Sequence, residues 1–192
     1  MYMTTMPHGR LRGDLISPER LARWRVPLGW FCGLSALYFA TPTPRLYASG
    51  VVVALAGELI RIWAAGHLEK NKRLASGGPY RWTRNPLYLG SLLVGAGFSL
   101  AAGRFVLLVV VAGLFVAVYV PVMRREETYL GQAFPGDYAA FAERVPLFWP
   151  RVPRGDHTAL GEYSVQRLLR NREHWTMLGW LLVTGFLGWR LW

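Results

Sequence analysis

The stretch FVLLVVVAGLFVAVYVPVM, residues 105–123, decides the fold because it contains no charged side chain. An α-helix needs roughly 20 apolar residues to cross the hydrocarbon core of a bilayer. This stretch meets that length, and the polar sequence RREE follows it directly at residues 124–127. It therefore predicts a membrane-spanning helix that ends at a membrane face.

Four further apolar stretches lie on either side of this one, so we predict an all-α integral membrane protein with about five transmembrane helices. They are residues 26–40, 46–66, 87–102 and 175–192. Stretch 46–66 is long enough to span, whereas the other three are shorter than the usual length. The chain then forms a single membrane domain, residues 1–192. It has two N-terminal spans at 26–66, a core at 67–153, and an amphipathic segment with a last span at 154–192. Pro135-Gly136 predicts a break between two short helices in the core, and residues 161–173 predict an interfacial amphipathic helix before the last span.

Only Gly103 and Arg104 separate stretches 87–102 and 105–123, which predicts a tight helical hairpin over residues 87–123. Ser91, Gly95 and Ser99 repeat every four residues in its first arm. Small residues at this spacing allow membrane helices to approach closely. We therefore expect this row of small residues to pack against a neighbouring helix.

The basic residues fall mostly on one side of the predicted spans. Cytoplasmic loops are enriched in Lys and Arg, so this side is predicted to be the cytoplasm, with the N-terminus inside and the C-terminus outside. The outer side holds only Arg45, Arg104 and Arg190. The inner segments hold Arg10, Arg12, Arg20, Arg23, Arg25, Lys70, Lys72, Arg73, Arg81, Arg84, Arg124, Arg125, Arg144, Arg151, Arg154, Arg167, Arg170 and Arg172. The short soluble segments suit a bacterial inner membrane.

Composition argues against several other classes of protein. The net charge is +11, but the basic residues flank the apolar stretches and form no single cluster, so nucleic-acid binding is disfavoured. Charged residues make up 17% of the chain. The lone Cys32 excludes an intrachain disulfide and a cysteine-based zinc site. The polar first 25 residues do not resemble a cleavable signal peptide.

The segment GGPYRWTRNPLYLG, residues 77–90, holds the best candidate for an anion-binding site. Gly-Gly-Pro predicts a turn, and Pro86 is favoured at the first position of a helix. Arg81 and Arg84 would then lie near a helix N-terminus, whose free N–H groups and the guanidinium groups both attract an anion. The alternative is an ordinary positive-inside loop with aromatic anchors at the interface.

Glutamates provide the second set of candidates. Glu126 and Glu127 follow a predicted span, and they either continue a solvated helix or direct one carboxylate into a polar pocket. Glu58 and Arg61 share a helix face within stretch 46–66, as a structural ion pair or as a functional site. His67 has no second histidine near it in the sequence, so no metal site is predicted.

Seven short motifs between residues 58 and 150 together resemble one family. Their order and spacing is similar to that of isoprenylcysteine carboxyl methyltransferases and their phospholipid methyltransferase relatives. The motifs are His67-Leu68, Leu74, Gly78-Pro79-Tyr80, Arg84-Asn85-Pro86-x-Tyr88-x-Gly90, Glu126-Glu127-x-x-Leu130, Phe134-x-x-x-Tyr138 and Arg144-Val145-Pro146.

The resemblance implies an integral membrane methyltransferase that uses S-adenosylmethionine in a cytoplasmic pocket formed by the C-terminal half. It implies a lipophilic substrate that enters from the bilayer. By position, Arg84 and Glu127 become the expected catalytic residues. The implied cofactor-binding residues are His67, Leu74, Gly78, Tyr80, Arg84, Asn85, Pro86, Tyr88, Glu126 and Glu127.

The methyl acceptor stays open at this point. Many carboxyl methyltransferases of the family have His where this chain has Asn85, and Asn-Pro-x-Tyr is similar to phospholipid methyltransferases. An isoprenylcysteine-type carboxylate and a phospholipid amine both remain candidates. The competing hypotheses are an NADPH-dependent membrane reductase of similar fold and a non-enzymatic lipid-binding membrane protein. The sequence predicts neither the oligomeric state nor the role of residues 154–192.

Overall fold

A computed structural model describes residues 33, 35, 37–69, 73–153 and 161–192. Over these residues the protein is entirely helical and has no β-strand, which confirms the predicted all-α class. The predicted first span, residues 26–40, lies largely outside the described residues.

From Pro44 onward, the described residues form seven α-helices, a 3-10 turn and a π-helical turn. The α-helices are α1 Pro44–His67, α2 Pro86–Ala101, α3 Phe105–Leu114, α4 Val120–Ala133, α5 Asp137–Arg144, α6 Val165–Arg170 and α7 Glu173–Trp189. The 3-10 turn is Gly78–Arg81, and the π-helical turn Phe115–Tyr119 joins α3 to α4.

Among the residues that the structure describes, two helices are long and apolar enough to cross a membrane. They are α1 and the continuous helix Phe105–Ala133, which comprises α3, the π-helical turn and α4. Helix α2 is apolar but has only 16 residues. Bulky apolar side chains of α3 point outward, with Phe105 75% and Val109 73% exposed. Such a continuous exposed apolar surface is typical of a face that contacts lipid or another protein.

Helices α1 and α2 pack closely because glycines face each other along their contact. A Cβ atom at Gly97 would collide with the Ala54 backbone, and one at Gly57 would come within 2.6 Å of the Gly90 carbonyl oxygen. The predicted row of small residues does lie against neighbouring helices. Gly95 faces Val111 of α3, Ser91 accepts a hydrogen bond from Arg61 of α1, and glycines beside that row make further contacts with α1.

Proline and glycine set most of the helix boundaries, as the sequence predicts. Helix α2 begins at Pro86. The hairpin between α2 and α3 turns at Gly103, where φ is +72° and a Cβ would collide with the Thr41 carbonyl oxygen. Gly136, with φ of +86°, follows Pro135 and separates α4 from α5.

The predicted amphipathic helix over residues 161–173 is shorter than expected. Helix α6 covers only Val165–Arg170, where the Ser164 hydroxyl caps it by accepting from the Arg167 N–H. Arg172 then adopts a left-handed conformation with φ of 59°, and α7 starts at the next residue. Two short turns of backbone thus redirect the chain into its last helix.

Candidate functional site

A cavity of about 890 Å³ lies where the start of α2 faces α4 and the segment after it. Leu68, Glu69 and residues 73–75, together with Arg61 of α1 and Glu173 of α7, complete its wall. Eight of the ten predicted cofactor-binding residues line this cavity. They are Leu74, Tyr80, Arg84, Asn85, Pro86, Tyr88, Glu126 and Glu127.

The other two predicted residues, His67 and Gly78, do not line the cavity. The His67 Nδ1 atom lies 2.8 Å from the Trp63 carbonyl oxygen. Gly78 has φ of +55°, and the His67 ring occupies the space where its side chain would be. His67 and Gly78 therefore contact each other next to the cavity and do not line it.

The segment that leads into α2 is fixed by hydrogen bonds to the chain after α5. The Arg84 N–H donates to the Pro146 carbonyl oxygen at 3.0 Å, and the Asn85 side-chain amide donates to the Leu147 carbonyl oxygen at 2.9 Å. The buried Thr83 hydroxyl donates to the same Leu147 oxygen at 3.3 Å. These bonds hold Arg84 in a defined position at the entry to the helix.

Arg84 is the centre of the polar network in the cavity. Its Nη1 atom donates to Glu127 Oε1 at 2.6 Å and to the Tyr138 hydroxyl at 3.0 Å. The guanidinium carbon also lies 5.8 Å from the Tyr138 ring centroid. The Arg84 Nε atom is buried and has no hydrogen-bond partner among the described residues. Arg84 therefore keeps one donor free for a ligand.

The two adjacent glutamates of α4 both reach the cavity but differ in their partners. Glu127 accepts from Arg84 and, through Oε2, from Arg124 Nη1 at 2.9 Å. Glu126 accepts from the Tyr88 hydroxyl at 2.9 Å and has no Lys or Arg partner among the described residues. The polar-pocket interpretation of the Glu-Glu pair thus fits the geometry for both residues.

Two tyrosines of the cavity have perturbed acidities. Burial raises the pKa of Tyr80, and the negative charges of Glu126 and Glu173 raise it further. Burial also raises the pKa of Tyr138, while its hydrogen bond from Arg84 partly opposes that shift. Both hydroxyls therefore stay protonated at neutral pH and can donate hydrogen bonds into the cavity.

Polar residues from α1 and α7 form a second cluster in the cavity. Arg61 Nη2 lies 2.6 Å from Glu173 Oε1, and Arg61 Nε lies 3.8 Å from Glu58 Oε2. Arg61 also donates to the hydroxyl groups of Ser91 and Thr176. The predicted Glu58–Arg61 contact therefore exists, but Glu173 is the closer partner of Arg61.

Sequence reasoning missed the contribution of the C-terminal segment to this site. Glu173 and Asn171 line the cavity. The Asn171 amide donates to the carbonyl oxygens of Ala65 and Leu68 at 2.9 and 3.0 Å, which attaches the segment to the end of α1. Tyr138 lay within a recognised motif, yet its bond to Arg84 could not be read from spacing. Within the described ranges, no group of three or more His, Cys, Asp or Glu could hold a metal ion.

Comparisons with known proteins agree with the family to which the motifs are similar. A family profile described as phospholipid methyltransferase matches residues 60–137. The cobalt-zinc-cadmium resistance protein CzcN of Cupriavidus metallidurans is 30% identical over 160 residues, which cover 78% of this chain and 73% of that protein. The nickel-cobalt-cadmium resistance protein NccN of Alcaligenes xylosoxydans xylosoxydans is 31% identical over 105 residues, which cover 54% of this chain and 47% of that protein. No solved structure matches the chain.

Proposed function

We propose, from the premise that this chain belongs to the phospholipid methyltransferase family, that it is a membrane methyltransferase that uses S-adenosylmethionine. The methyl acceptor is lipophilic, either an isoprenylcysteine-type carboxylate or a phospholipid amine. The observation that carries the proposal is the position of Arg84. It lies at the entry to α2, is bound by Glu127 and Tyr138, and keeps a free buried donor in the cavity.

The residues of the cavity fit the three charged groups of S-adenosylmethionine. A carboxylate fits the free Nε donor of Arg84 and the N-terminus of α2. An ammonium group fits Glu126, which has no basic partner among the described residues. The rings of Tyr88 and Tyr119, with centroids 5.4 Å apart, offer aromatic faces to a sulfonium. The volume also falls within the roughly 300–1,000 Å³ of small-molecule sites.

When bound, S-adenosylmethionine supplies a methyl group activated by its positive sulfur. The work of the chain is then to position donor and acceptor and to exclude water, because a direct displacement needs no covalent enzyme intermediate. Glu127 and Tyr138 hold the Arg84 guanidinium in one orientation. Arg84 and Glu126 fix the two ends of the amino-acid part of the cofactor.

We also propose that the chain is a multi-pass protein of a bacterial inner membrane with about five spans. Besides α1 and the long helix Phe105–Ala133, helix α7 carries an exposed apolar face in which Leu181 and Leu182 are 61% and 65% exposed. A bilayer would cover this face. The positive-inside rule then assigns the cavity, which adjoins Arg124, to the cytoplasmic side.

The names of the two relatives associate them with resistance to metals such as cobalt and cadmium. We propose the same physiological setting for this chain, with methyl transfer as its chemistry. A host that depends on the chain for growth in cobalt should lose that growth with the Arg84→Ala variant. Unchanged growth with a non-binding variant would remove methyl transfer from this role.

Calorimetric titration of the detergent-purified chain tests the proposed function. We expect S-adenosylmethionine to bind with micromolar affinity, on the order of −8 kcal/mol, and NADPH not to bind. Binding of NADPH alone would favour the membrane reductase. Binding of neither, with and without added lipid, would leave the non-enzymatic lipid-binding protein as the better hypothesis.

A further inference from the structure

The π-helical turn Phe115–Tyr119 lies between two parts of the long helix that have different neighbours. Before the turn, Val111 of α3 packs against α2, and after the turn α4 lines the cavity. An α-helix turns by about 100° per residue, and a π-helical turn, with its i→i+5 hydrogen bonds, holds one residue more than an α-helical turn. This extra residue therefore sets how α3 and α4 are oriented relative to each other.

Val111 and Met123 show the effect of the extra residue. A Cβ atom on Gly95 of α2 would lie 3.0 Å from the Val111 side chain, whereas Met123 is 2% exposed and lines the cavity. In an uninterrupted α-helix the side chains of Val111 and Met123 would point about 120° apart. One extra residue in the turn between them reduces this angle to about 20°. The long helix thus packs against α2 and lines the cavity with the same face.

Tyr119 is the last residue of the π-helical turn, and its side chain lines the cavity. Its ring stacks on that of Phe115, with centroids 5.1 Å apart and an angle of 17° between the ring planes. Phe115 is 7% exposed and also contacts Phe148 of the chain after α5, with centroids 5.1 Å apart. These contacts hold the Tyr119 ring in one orientation, next to Tyr88 of α2.

Tyr88, Tyr119 and Glu126 surround one part of the cavity with groups that attract a positive charge. The ring centroids of Tyr88 and Tyr119 are 5.4 Å apart, and their planes meet at 62°, so the two rings do not cover each other's faces. The Tyr88 hydroxyl donates to Glu126 Oε1 at 2.9 Å. Aromatic faces attract cations through the ring quadrupole, and a carboxylate attracts them through its full charge. We call these three residues the cation cage.

Most other rings of the described cavity wall lie in a buried hydrophobic cluster. Its aromatic members are Tyr80, Tyr138 and Phe141, and the apolar side chains packed against them include Leu74, Leu130 and Phe134. The Arg84 guanidinium carbon lies 5.8 Å from the Tyr138 ring centroid, and its charge would repel a second cation at this ring. An uncharged aromatic group fits the hydrophobic cluster, which leaves the cation cage for a positively charged sulfur.

We propose, on the basis of the methyltransferase function above, that Tyr119 is a specificity-determining residue. Placed by the π-helical turn and acting together with Tyr88, its ring distinguishes the charged cofactor from the neutral product. S-adenosylmethionine carries a positive charge on sulfur, whereas S-adenosylhomocysteine, which remains after the methyl group has left, is a neutral thioether. The two molecules are otherwise the same, so their other contacts in the cavity are shared. The cation cage therefore favours binding of the methyl donor and release of the product.

The test compares the calorimetric affinities of S-adenosylmethionine and S-adenosylhomocysteine for the full chain in detergent. Tyr119→Leu removes the ring, and Tyr119→Phe keeps the ring but removes the hydroxyl. Tyr38→Leu is the matched control, because Tyr38 is 75% exposed and does not line the cavity. The readout is the ratio of the two affinities, since a loss of structure would weaken the binding of both ligands together.

We expect the wild type to bind S-adenosylmethionine about tenfold more tightly than S-adenosylhomocysteine, as cation–π contacts in a desolvated site would produce. Tyr119→Leu should reduce this ratio by about three- to tenfold, by weakening the binding of S-adenosylmethionine alone. Tyr119→Phe and Tyr38→Leu should keep the ratio of the wild type. An unchanged ratio in folded Tyr119→Leu, or an equal loss of affinity for both ligands, would overturn the proposal.

Deletion of Ala117, an exposed residue of the π-helical turn, tests the placement of Tyr119. Removing one residue would make the helix uniformly α-helical and rotate α4 by about 100° relative to α3. Both ligands should then bind about tenfold more weakly or worse, because the rotation carries Glu127 away from Arg84. Ala117→Leu, which keeps the number of residues, is the control and should bind both ligands like the wild type.

A deletion variant that folds and binds both ligands like the wild type would contradict the role of the π-helical turn. Should the deletion variant not fold, Tyr119→Leu and Tyr119→Phe still decide the question. Two outcomes for the wild type separate this proposal from the one on which it rests. If the wild type binds both ligands equally, the charge selection fails and the methyltransferase function stands. If it binds neither ligand, the proposed function itself fails.

Discussion

The Arg84 guanidinium and the Glu127 carboxylate lie 2.6 Å apart, although 43 positions separate the two residues in the chain. Their side chains are only 12% and 21% exposed. This ion pair joins the entry of α2 to α4, so one interaction fixes the distance between the two helices that flank the cavity. The ion pair also joins the two residues that the sequence predicted to be catalytic, Arg84 and Glu127.

Replacing Arg84 by alanine should weaken the binding of S-adenosylmethionine by on the order of a hundredfold, because loss of one partner of a largely buried charge pair costs about 2–5 kcal/mol. Calorimetry on the detergent-purified variant measures this. Arg124→Ala is the matched control, since Arg124 also pairs with Glu127 but is 67% exposed. The control should change affinity only a few-fold. A folded Arg84→Ala variant that binds like the wild type would remove the residue from the pocket.

Glu127→Gln should also lower cofactor affinity or turnover, since it leaves Arg84 without its counter-charge while Tyr138 still accepts from it. A double-mutant cycle with Arg84→Ala then measures the coupling between the two residues. We expect a coupling free energy of about 0.5–3 kcal/mol, as found for residues in direct contact. Strictly additive losses would show that the two side chains act separately on the cofactor.

Local features of the structure were predictable from the sequence because short-range chemistry determines them. The start of α2 at Pro86 and the break at Gly136 follow from backbone restrictions of proline and glycine, which need no tertiary information. The family motifs also predicted that Arg84 and Glu127 belong to one cofactor pocket. Each motif is a short, contiguous segment with a distinct local role.

Contacts between distant segments were not predictable in this way. Glu173 forms an ion pair with Arg61 where Asn171 attaches the C-terminal segment to the end of α1. The spacing of these residues in the sequence does not predict that contact. The length of α6 was overestimated because an amphipathic pattern does not show that Arg172 adopts a left-handed conformation. Tertiary packing decided both features.

Gly97→Ala should destabilise the protein by about 1–3 kcal/mol, the usual cost of overpacking a tight contact. An added Cβ at Gly97 would collide with the Ala54 backbone, which cannot move aside as a flexible side chain can. Gly113→Ala is the control, because nothing lies within 4 Å of a Cβ at this position in α3. That control should be neutral or stabilising by up to about 1 kcal/mol. Equal unfolding midpoints in detergent would argue against close packing of α1 and α2.

The stability of the protein should fall as pH rises above about 10, the ordinary pKa of tyrosine. Burial raises the pKa of Tyr80 in the folded state. The unfolded chain therefore loses this proton first, and the folded state loses stability by up to about 1.4 kcal/mol per pH unit. Below the unfolded pKa the contribution is constant.

Tyr80→Phe should remove this part of the alkaline loss, and thermal unfolding at several pH values between about 8 and 11 measures it. Tyr163→Phe serves as the control because that side chain is 45% exposed. If Tyr80→Phe and the wild type lose stability in parallel above pH 10, the hydroxyl is not buried as the structure describes.

Cysteine labelling tests the five-span topology, which the two long helices alone do not establish. In a Cys32→Ser background, Arg104→Cys and Trp192→Cys should react with a membrane-impermeable maleimide in intact cells of a Gram-negative host. Asp137→Cys, at the exposed start of α5, should react only after the inner membrane is permeabilised. The positive-inside rule predicts this pattern. Labelling of Trp192→Cys only after permeabilisation would place the C-terminus inside and show that α7 lies along the membrane face without crossing it.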